Sequence, residues 1–169
     1  MGDHGLLFKG PCPFKGILKL PLIWRVPGLT KPDTVSYSLV SSIDYPKTIL
    51  NLLNIKQRHQ PPDMQGFDIT PILKNPEEKI RDCCYIENDE EIGPLKSRLR
   101  HLITEDYKLT VYESLDNFGD IYDIKNDPDE LNNLWNDKKF GNERFKLLDK
   151  LLHESLKAQT RYPKRVAGS

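Results

Sequence analysis

The sequence predicts an α/β fold in two parts, a strand-and-helix segment over residues 1–75 and an antiparallel sheet with a C-terminal helix over residues 81–160. The length of 169 residues suits one ordinary domain. Four short β-prone runs separated by turn residues follow residue 81, which is typical of an antiparallel sheet. Apolar residues at helical spacing come next, and residues 161–169 are expected to form a frayed tail.

The start of the first segment predicts a loop followed by a strand. Residues 1–19 contain Gly and Lys without a regular period, which favours a loop. Residues 22–26 are β-prone, and Pro27-Gly28 directly after them is a strong turn signal. We therefore expect a strand that ends at residue 26.

Two helices are predicted in the rest of this segment. Ser42 or Asp44 can cap a helix that runs to about Asn54. Three of its apolar residues are expected to form a buried face: Ile49, Leu50 and Leu53. Thr70 as N-cap with Pro71 at the first helical position predicts a short helix through Leu73.

The second segment contains four strand-like runs: Cys84–Glu87, Leu99–Thr104, Lys108–Tyr112 and Asp120–Tyr122. The middle two predict a hairpin around Glu105-Asp106, with Tyr107, Leu109 and Val111 on one face. Cys83 and Cys84 should point to opposite faces of a strand, since neighbouring side chains alternate.

Two further helices follow the strands. Asp127-Pro128, with Glu130 in the first turn, predicts the start of a short helix. The last helix is expected over about Asn142–Gln159. Four apolar residues at spacings of three, four and four indicate its buried face: Phe145, Leu148, Leu152 and Leu156.

The composition argues against several classes of function. The 25 basic residues are balanced by 25 acidic ones, whereas proteins that bind nucleic acid usually carry a basic excess. The longest apolar stretch, residues 20–24, is far below the roughly 18 residues of a membrane span. Three cysteines without C-x-x-C spacing predict neither a disulfide framework nor a zinc site.

Asp3 and His4 are candidate metal ligands at the start of the chain. Carboxylate oxygen and imidazole nitrogen both suit a divalent metal. Gly2 and Gly5 give the backbone the freedom to turn both side chains to one centre. Calcium, however, takes about six to eight oxygen ligands, and the remaining carboxylates are scattered. Most ligands of such a site would therefore come from outside this chain.

Lys9 is a candidate contact for an anion. It precedes Gly10-Pro11 and lies five residues after His4. A lysine in such a loop can neutralise an oxygen of sulfate or phosphate. Lys15 and Lys19 are equal candidates on composition alone.

Several short motifs follow one another along the chain: Gly2-Asp3-His4-Gly5, Lys9-Gly10-Pro11, Pro21-Leu22-Ile23, Thr70-Pro71-Ile72-Leu73 and Gly119-Asp120-Ile121-Tyr122-Asp123-Ile124. In this order, over roughly residues 2–158, the chain resembles the sulfatases, which belong to the alkaline phosphatase superfamily. The resemblance implies the C-terminal part of an alkaline-phosphatase-like sandwich, followed by a small four-stranded antiparallel sheet with a C-terminal helix. Residues 1–75 would end the catalytic α/β domain, with a metal and sulfate loop at residues 2–19, and residues 81–160 would form the C-terminal subdomain.

The resemblance also implies a chemistry. Sulfatases hydrolyse sulfate esters with a formylglycine nucleophile, made from Cys or Ser in C-x-P-x-R or S-x-P-x-R, and a divalent metal. Asp3 and His4 would be metal ligands, with calcium the expected ion, and Lys9 would contact the sulfate. This chain contains neither nucleophile motif, since Cys12-Pro13 has its proline one position early. The nucleophile would lie in a missing N-terminal portion of the same fold, and the chain alone would be inactive.

The expected substrate is a sulfated small molecule or glycan, without a more specific prediction. His101 or Arg100 would either line the substrate pocket or lie on the hairpin surface. A phosphoesterase or phosphonate hydrolase of the same fold is an alternative, because sulfate and phosphate share their shape. A non-catalytic short protein that binds an anion or a partner is another. The sequence predicts no cellular compartment.

Overall fold

A computed structural model describes residues 3–5, 13–62, 64–90 and 97–159. Within these residues the α-helices are α1 (Lys15–Leu18), α2 (Asp44–Leu52), α3 (Thr70–Lys74) and α4 (Gly141–Ala158). The strands are β1 (Cys83–Glu90), β2 (Ser97–Thr104), β3 (Tyr107–Tyr112) and β4 (Gly119–Asp123). None of the helices in these ranges is long and apolar enough to cross a membrane. The predicted tail over residues 161–169 lies outside the described part of the chain.

The four strands form one antiparallel sheet in the order β1-β2-β3-β4, which confirms the predicted sheet. The hairpin between β2 and β3 turns at Glu105-Asp106, as predicted. Thr104 closes this turn, since its Oγ1 accepts a hydrogen bond from the Tyr107 N–H at 2.9 Å and donates to the Tyr107 carbonyl at 3.1 Å. Leu102 on β2 lies directly across from Leu109 on β3.

One face of the sheet packs against α4 and forms the main core. Seven buried side chains make up this cluster: Cys83, Leu102, Leu109, Ile121, Trp135, Leu147 and Leu151. Cys83 lies in this core, whereas the Cys84 thiol lies 3.7 Å from the carbonyl of Val40. The two cysteines therefore point to opposite faces, as predicted, and both are free thiols.

The bounds of α4 agree with the prediction, but of the four residues predicted for its buried face only Leu148 packs against the core. Leu147 and Leu151 are buried, whereas Phe145, Leu152 and Leu156 are each more than half exposed. The helix carries two apolar stripes next to each other, both at helical spacing. Periodicity alone does not determine which stripe the sheet covers.

The second face of the sheet, called here the opposite face, carries the side chains of Cys84, His101, Lys108, Thr110 and Tyr122. His101, Lys108 and Thr110 are buried on it, although the alternation in β3 predicted a single apolar face. Residues just before α1 lie on this face, because Lys108 Nζ donates a hydrogen bond to the Pro13 carbonyl at 2.7 Å. The sheet is thus covered on both sides.

Helices α2 and α3 lie close to the lengths predicted for them, but the predicted face of α2 is wrong. Asp44 and Thr48 are its buried residues, whereas Ile49 and Leu53 are exposed. The cap of α3 also differs from the prediction, because Ile69 holds the N-cap position and Asp68 Oδ1 accepts the Thr70 N–H at 2.9 Å. The polar residues Asp44 and Thr48 of α2 therefore face the interior of the protein, whereas the apolar residues Ile49 and Leu53 face outward.

The strand predicted at residues 22–26 is not formed, and the predicted loop over residues 1–19 contains the short helix α1. Ile23 is 92% exposed. A strand needs a neighbour for its backbone hydrogen bonds, and none of the described strands pairs with residues 22–26. The predicted turn at Pro27-Gly28 is present, with Gly28 at φ +82°.

Gly119→Ala is expected to destabilise the protein by about 1–3 kcal/mol, the usual effect of overpacking. A Cβ at this position would lie 2.3 Å from Cζ3 of Trp135. The ring cannot easily move away, because its Nε1–H donates to the Asn117 carbonyl at 3.0 Å. Urea denaturation would measure the change. Gly141→Ala is the matched control, since a Cβ there meets no atom within 4 Å, and equal effects of the two substitutions would contradict the prediction.

Candidate functional site

His4 lies in a short helical turn, Asp3–Gly5, in a left-handed backbone conformation. The φ angles of His4 and Gly5 are +50° and +72°. The backbone therefore turns here, and Gly5 is one of the two glycines that were expected to permit the turn. The His4 ring stacks on the Phe14 ring, with 3.7 Å between centroids and 9° between planes. Stacking covers the face of the imidazole, whereas its nitrogens lie at the edge. Within the described residues, neither nitrogen has a hydrogen-bond partner.

The Phe14 ring rests on the opposite face of the sheet. Its centroid lies 6.4 Å from that of the Tyr122 ring. Lys108 Nζ lies 5.4 Å from the Phe14 centroid and 4.9 Å from the Tyr122 centroid. Both distances are within the range of a cation–π interaction, which is stronger when the cation is desolvated.

A buried ion pair lies beneath Phe14. Lys108 Nζ is 2.5 Å from Glu130 Oε2, and only 3% of each side chain is exposed. Glu130 Oε2 also accepts the backbone N–H of Lys15 at 3.0 Å. Burial lowers the pKa of the Lys108 ammonium, and its hydrogen bond and charge interaction with Glu130 oppose that shift.

Glu130 reaches this position because the helix predicted at Asp127-Pro128 does not form. The Asp127 carboxylate accepts the backbone N–H groups of Leu131 and Asn132, at 2.9 and 2.8 Å, and so closes a loop. Glu130 has a φ of +56°, which a right-handed helix excludes. The helix prediction was wrong because the capping residue Asp127 stabilises a turn here, and this turn directs Glu130 to the sheet.

A second polar network lies farther along the opposite face. The Tyr112 hydroxyl donates to Asp120 Oδ2, and Asn133 Nδ2 donates to Asp120 Oδ1 at 2.7 Å. Burial raises the pKa of the Asp120 carboxyl. Asn133 Oδ1 in turn accepts the Ile121 N–H at 3.0 Å. This network ties β4 to the loop after it.

The predicted site residues are described to different extents. His4 is described in full, Asp3 only in its backbone, and Lys9 lies outside the described residues. The alternative lysine Lys15 is an exposed residue of α1, with its Nζ 3.3 Å from the Pro128 carbonyl in the loop after β4. Among the residues that the structure describes, no three His, Cys, Asp or Glu side chains form a group that could hold a metal.

The two residues considered as pocket lining have different positions. His101 is 1% exposed, and its Nδ1 lies 3.1 Å from Thr110 Oγ1. Both interpretations of His101, pocket lining and hairpin surface, are therefore wrong. Arg100 pairs with Asp89 at 2.6 Å on the exposed side of the hairpin.

No motif in the sequence predicts that Lys108 and Glu130 are part of the site. A charged residue inside a β-prone run was the available signal for Lys108. Such a residue on a strand is usually solvent-facing, so this signal does not distinguish a buried lysine from an exposed one.

Comparison with known proteins gives a consistent family assignment. The model of the family described as N-sulphoglucosamine sulphohydrolase, C-terminal, matches residues 2–159. An N-acetylglucosamine-6-O-sulfatase of Bacteroides thetaiotaomicron is 26% identical over 162 residues, which is 93% of this chain and 28% of that protein. The uncharacterized sulfatase YidJ of Escherichia coli is 31% identical over 153 residues, which is 90% of this chain and 29% of that protein. The chain thus spans less than a third of the length of these relatives.

Solved structures share the fold. BT4656, in complex with its substrate D-glucosamine-2-N,6-O-disulfate, matches with a TM-score of 0.60 and 25% identity, over 73% of this chain and 25% of that one. The phosphonate monoester hydrolase of Agrobacterium radiobacter matches with a TM-score of 0.58 and 21% identity, over 71% and 25% of the two chains.

Proposed function

The chain belongs to the family of N-sulphoglucosamine sulphohydrolase C-terminal domains, and from this membership we propose that it is the C-terminal part of a hydrolase of sulfate esters. The observation that carries the proposal is the family match over residues 2–159, which includes the candidate metal ligands as well as the sheet. The family and the fold agree with the sulfatases of the alkaline phosphatase superfamily predicted from the ordered motifs. The proposed substrate class is a sulfated glucosamine glycan, in line with the names of the relatives.

Asp3 and His4 are the proposed metal ligands of this chain, with Ca²⁺ as the proposed ion, and Lys9 is the proposed contact to the sulfate. The metal would polarise the sulfate ester for attack. His4 fits the role of a ligand because the ring edge, where its nitrogens lie, is not engaged by the described residues. The stack on Phe14 limits rotation of the ring and so lowers the entropy lost when a ligand is bound.

A further portion of the same fold is proposed to supply the formylglycine and the other metal ligands. The chain has no C-x-P-x-R or S-x-P-x-R motif and spans 28% and 29% of its two relatives. Exposed apolar residues support this proposal: Leu20, Ile23, Ile49 and Leu53. They lie in residues 1–75, the proposed end of the catalytic α/β domain, where a large sheet would be covered on both faces. Residues 81–160 are the proposed C-terminal subdomain.

Phosphonate or phosphate ester hydrolysis is the second candidate. The phosphonate monoester hydrolase of Agrobacterium radiobacter shares the fold with this chain. Sulfate and phosphate are both tetrahedral anions that a metal and a lysine can bind. The fold therefore agrees with both reactions, and the esters have to be compared directly.

The test starts from the transcript upstream of the Met1 codon. We expect a reading frame that continues into this chain and encodes C-x-P-x-R or S-x-P-x-R. The protein from that whole frame should release sulfate from N- or O-sulfated glucosamine, measured by ion chromatography. This chain alone should release none. A separate start at Met1 with no such motif upstream would overturn catalysis and favour a non-catalytic binding protein.

Lys9→Ala in the protein from the whole frame is expected to lower kcat/KM for the sulfate ester by about 10²–10³-fold, a typical effect of losing one preorganised group that stabilises transition-state charge. Lys31→Ala is the matched control, because Lys31 is an exposed loop lysine. Equal activity of both variants would exclude Lys9 from the site. Turnover of phosphonate monoesters in place of sulfate esters would select the second candidate.

A further inference from the structure

The ion pair between Lys108 and Glu130 has an uncommon location for two full charges. Both side chains are buried on the opposite face of the sheet. Well-packed apolar residues often stabilise a protein as much as a buried ion pair does, because desolvation offsets much of the attraction. Stability alone is thus a weak reason for this pair.

The pair holds the backbone on both sides of Phe14. Lys108 Nζ binds the carbonyl of Pro13 at 2.7 Å, and Glu130 Oε2 binds the N–H of Lys15 at 3.0 Å. The residue before Phe14 and the residue after it are each bound by one member of the pair. We call Lys108 and Glu130, with these two hydrogen bonds, the clamp.

Phe14 passes this constraint on to His4. One side of the Phe14 ring faces the Lys108 ammonium and the Tyr122 ring, and the imidazole of His4 is stacked on Phe14 at 3.7 Å. The nearly parallel rings fix the plane in which the His4 nitrogens lie. Movement of Phe14 would therefore tilt the His4 ring or leave it free to rotate.

We propose that the clamp is a positioning device, in which Lys108 and Glu130 hold Phe14 so that the edge of His4 is presented in one fixed orientation. Phe14, Lys108 and Glu130 are then positioning residues for a metal ligand. This role rests on the proposed function of His4. The positioning itself can be measured without a metal and without substrate.

The first measurement is the NMR spectrum of the His4 ring protons in the full chain, assigned with His4→Ala. We expect these signals upfield of those of the exposed His153, because the His4 ring lies over the Phe14 ring. The double variant Lys108→Met/Glu130→Leu removes both charges and keeps apolar volume. It should lose the upfield shift. Lys125→Met/Asp106→Leu is the matched control, since it removes an exposed ion pair of 3.0 Å between the β2–β3 turn and the loop after β4, and it should keep the shift.

Phe14 variants test the same role if the clamp variant does not fold. Phe14→Leu should lose the upfield shift, and Phe14→Tyr should restore it because the aromatic face is kept. An upfield shift that persists in the folded clamp variant, or in Phe14→Leu, would overturn the proposal.

A metal titration separates this proposal from the proposed function. In the protein from the whole reading frame, the clamp double variant should weaken Mn²⁺ affinity by about 10–100-fold, as is typical for groups that orient a ligand. Unchanged Mn²⁺ affinity in that variant would overturn the clamp. Absence of Mn²⁺ binding to the unaltered protein, with the upfield shift present, would overturn the role of His4 as a ligand and leave the positioning intact.

Discussion

Asp44→Ala is expected to lower the free energy of unfolding by about 3–5 kcal/mol, the usual effect of removing one partner of a buried ion pair. The Asp44 side chain is fully buried and lies 2.5 Å from Arg81, whose side chain is also buried. Its oxygens accept the N–H groups of Ser41 at 2.7 Å and Phe67 at 2.8 Å. The alanine variant leaves the buried Arg81 cation without its carboxylate and two backbone N–H donors without their acceptor. Urea denaturation monitored by circular dichroism measures the change.

Two controls identify the cause. Asp106→Ala removes an exposed carboxylate that pairs with Lys125, and should cost at most about 1 kcal/mol. Asp44→Ala/Arg81→Met should recover part of the loss, because no charge remains stranded. If Asp44→Ala were no more destabilising than Asp106→Ala, the buried interactions of Asp44 would not contribute to stability as described.

Stability is expected to fall by about 3 kcal/mol as the pH decreases from 6.5 to 4, through the protonation of His101. Burial, with smaller effects of Lys108 and Arg100, lowers the pKa of His101 from 6.5 to about 4. In this pH window the unfolded chain binds a proton that the folded protein excludes, so acid favours unfolding. The contribution is fully present above pH 6.5 and is lost as the pH falls to about 4. Thermal or urea unfolding at several pH values measures it.

His101→Gln removes the titrating group and retains an amide that can reach Thr110. Its stability should change less between pH 6.5 and 4 than that of the unaltered protein. His153→Gln is the control, because this histidine is exposed on α4. A pH dependence that is identical in all three proteins would show that His101 is not the buried titrating group.

Local patterns were sufficient to predict the sheet and the long helix. The alternating side chains around Leu109 and the turn residues Glu105-Asp106 are patterns that extend over only a few residues, and each strand contains such a pattern. The residue types of Asp3 and His4 predict metal ligands without any knowledge of the fold, and this stays a prediction. The bounds of α4 follow from its length and spacing.

Predictions that depended on a distant partner were wrong or missing. The buried stripe of α4 is selected by the sheet, and the strand at residues 22–26 lacks a neighbour among the described strands. Asp127 has the sequence of a helix start, yet its carboxylate closes a loop that directs Glu130 to Lys108. In each case the local sequence allows two structures, and packing selects one.

The sequence by itself determined the family, through the order of its motifs. It also determined the four strands, the hairpin around Glu105-Asp106 and the long C-terminal helix, because these depend on residue type and short spacing. The tertiary structure alone decided which residues hold the backbone on both sides of Phe14, the ring on which His4 stacks. Lys108 binds Pro13 across 95 positions of the chain, and Glu130 binds Lys15 across 115. No local pattern encodes such contacts, because they arise only when the sheet brings its opposite face against the start of the chain.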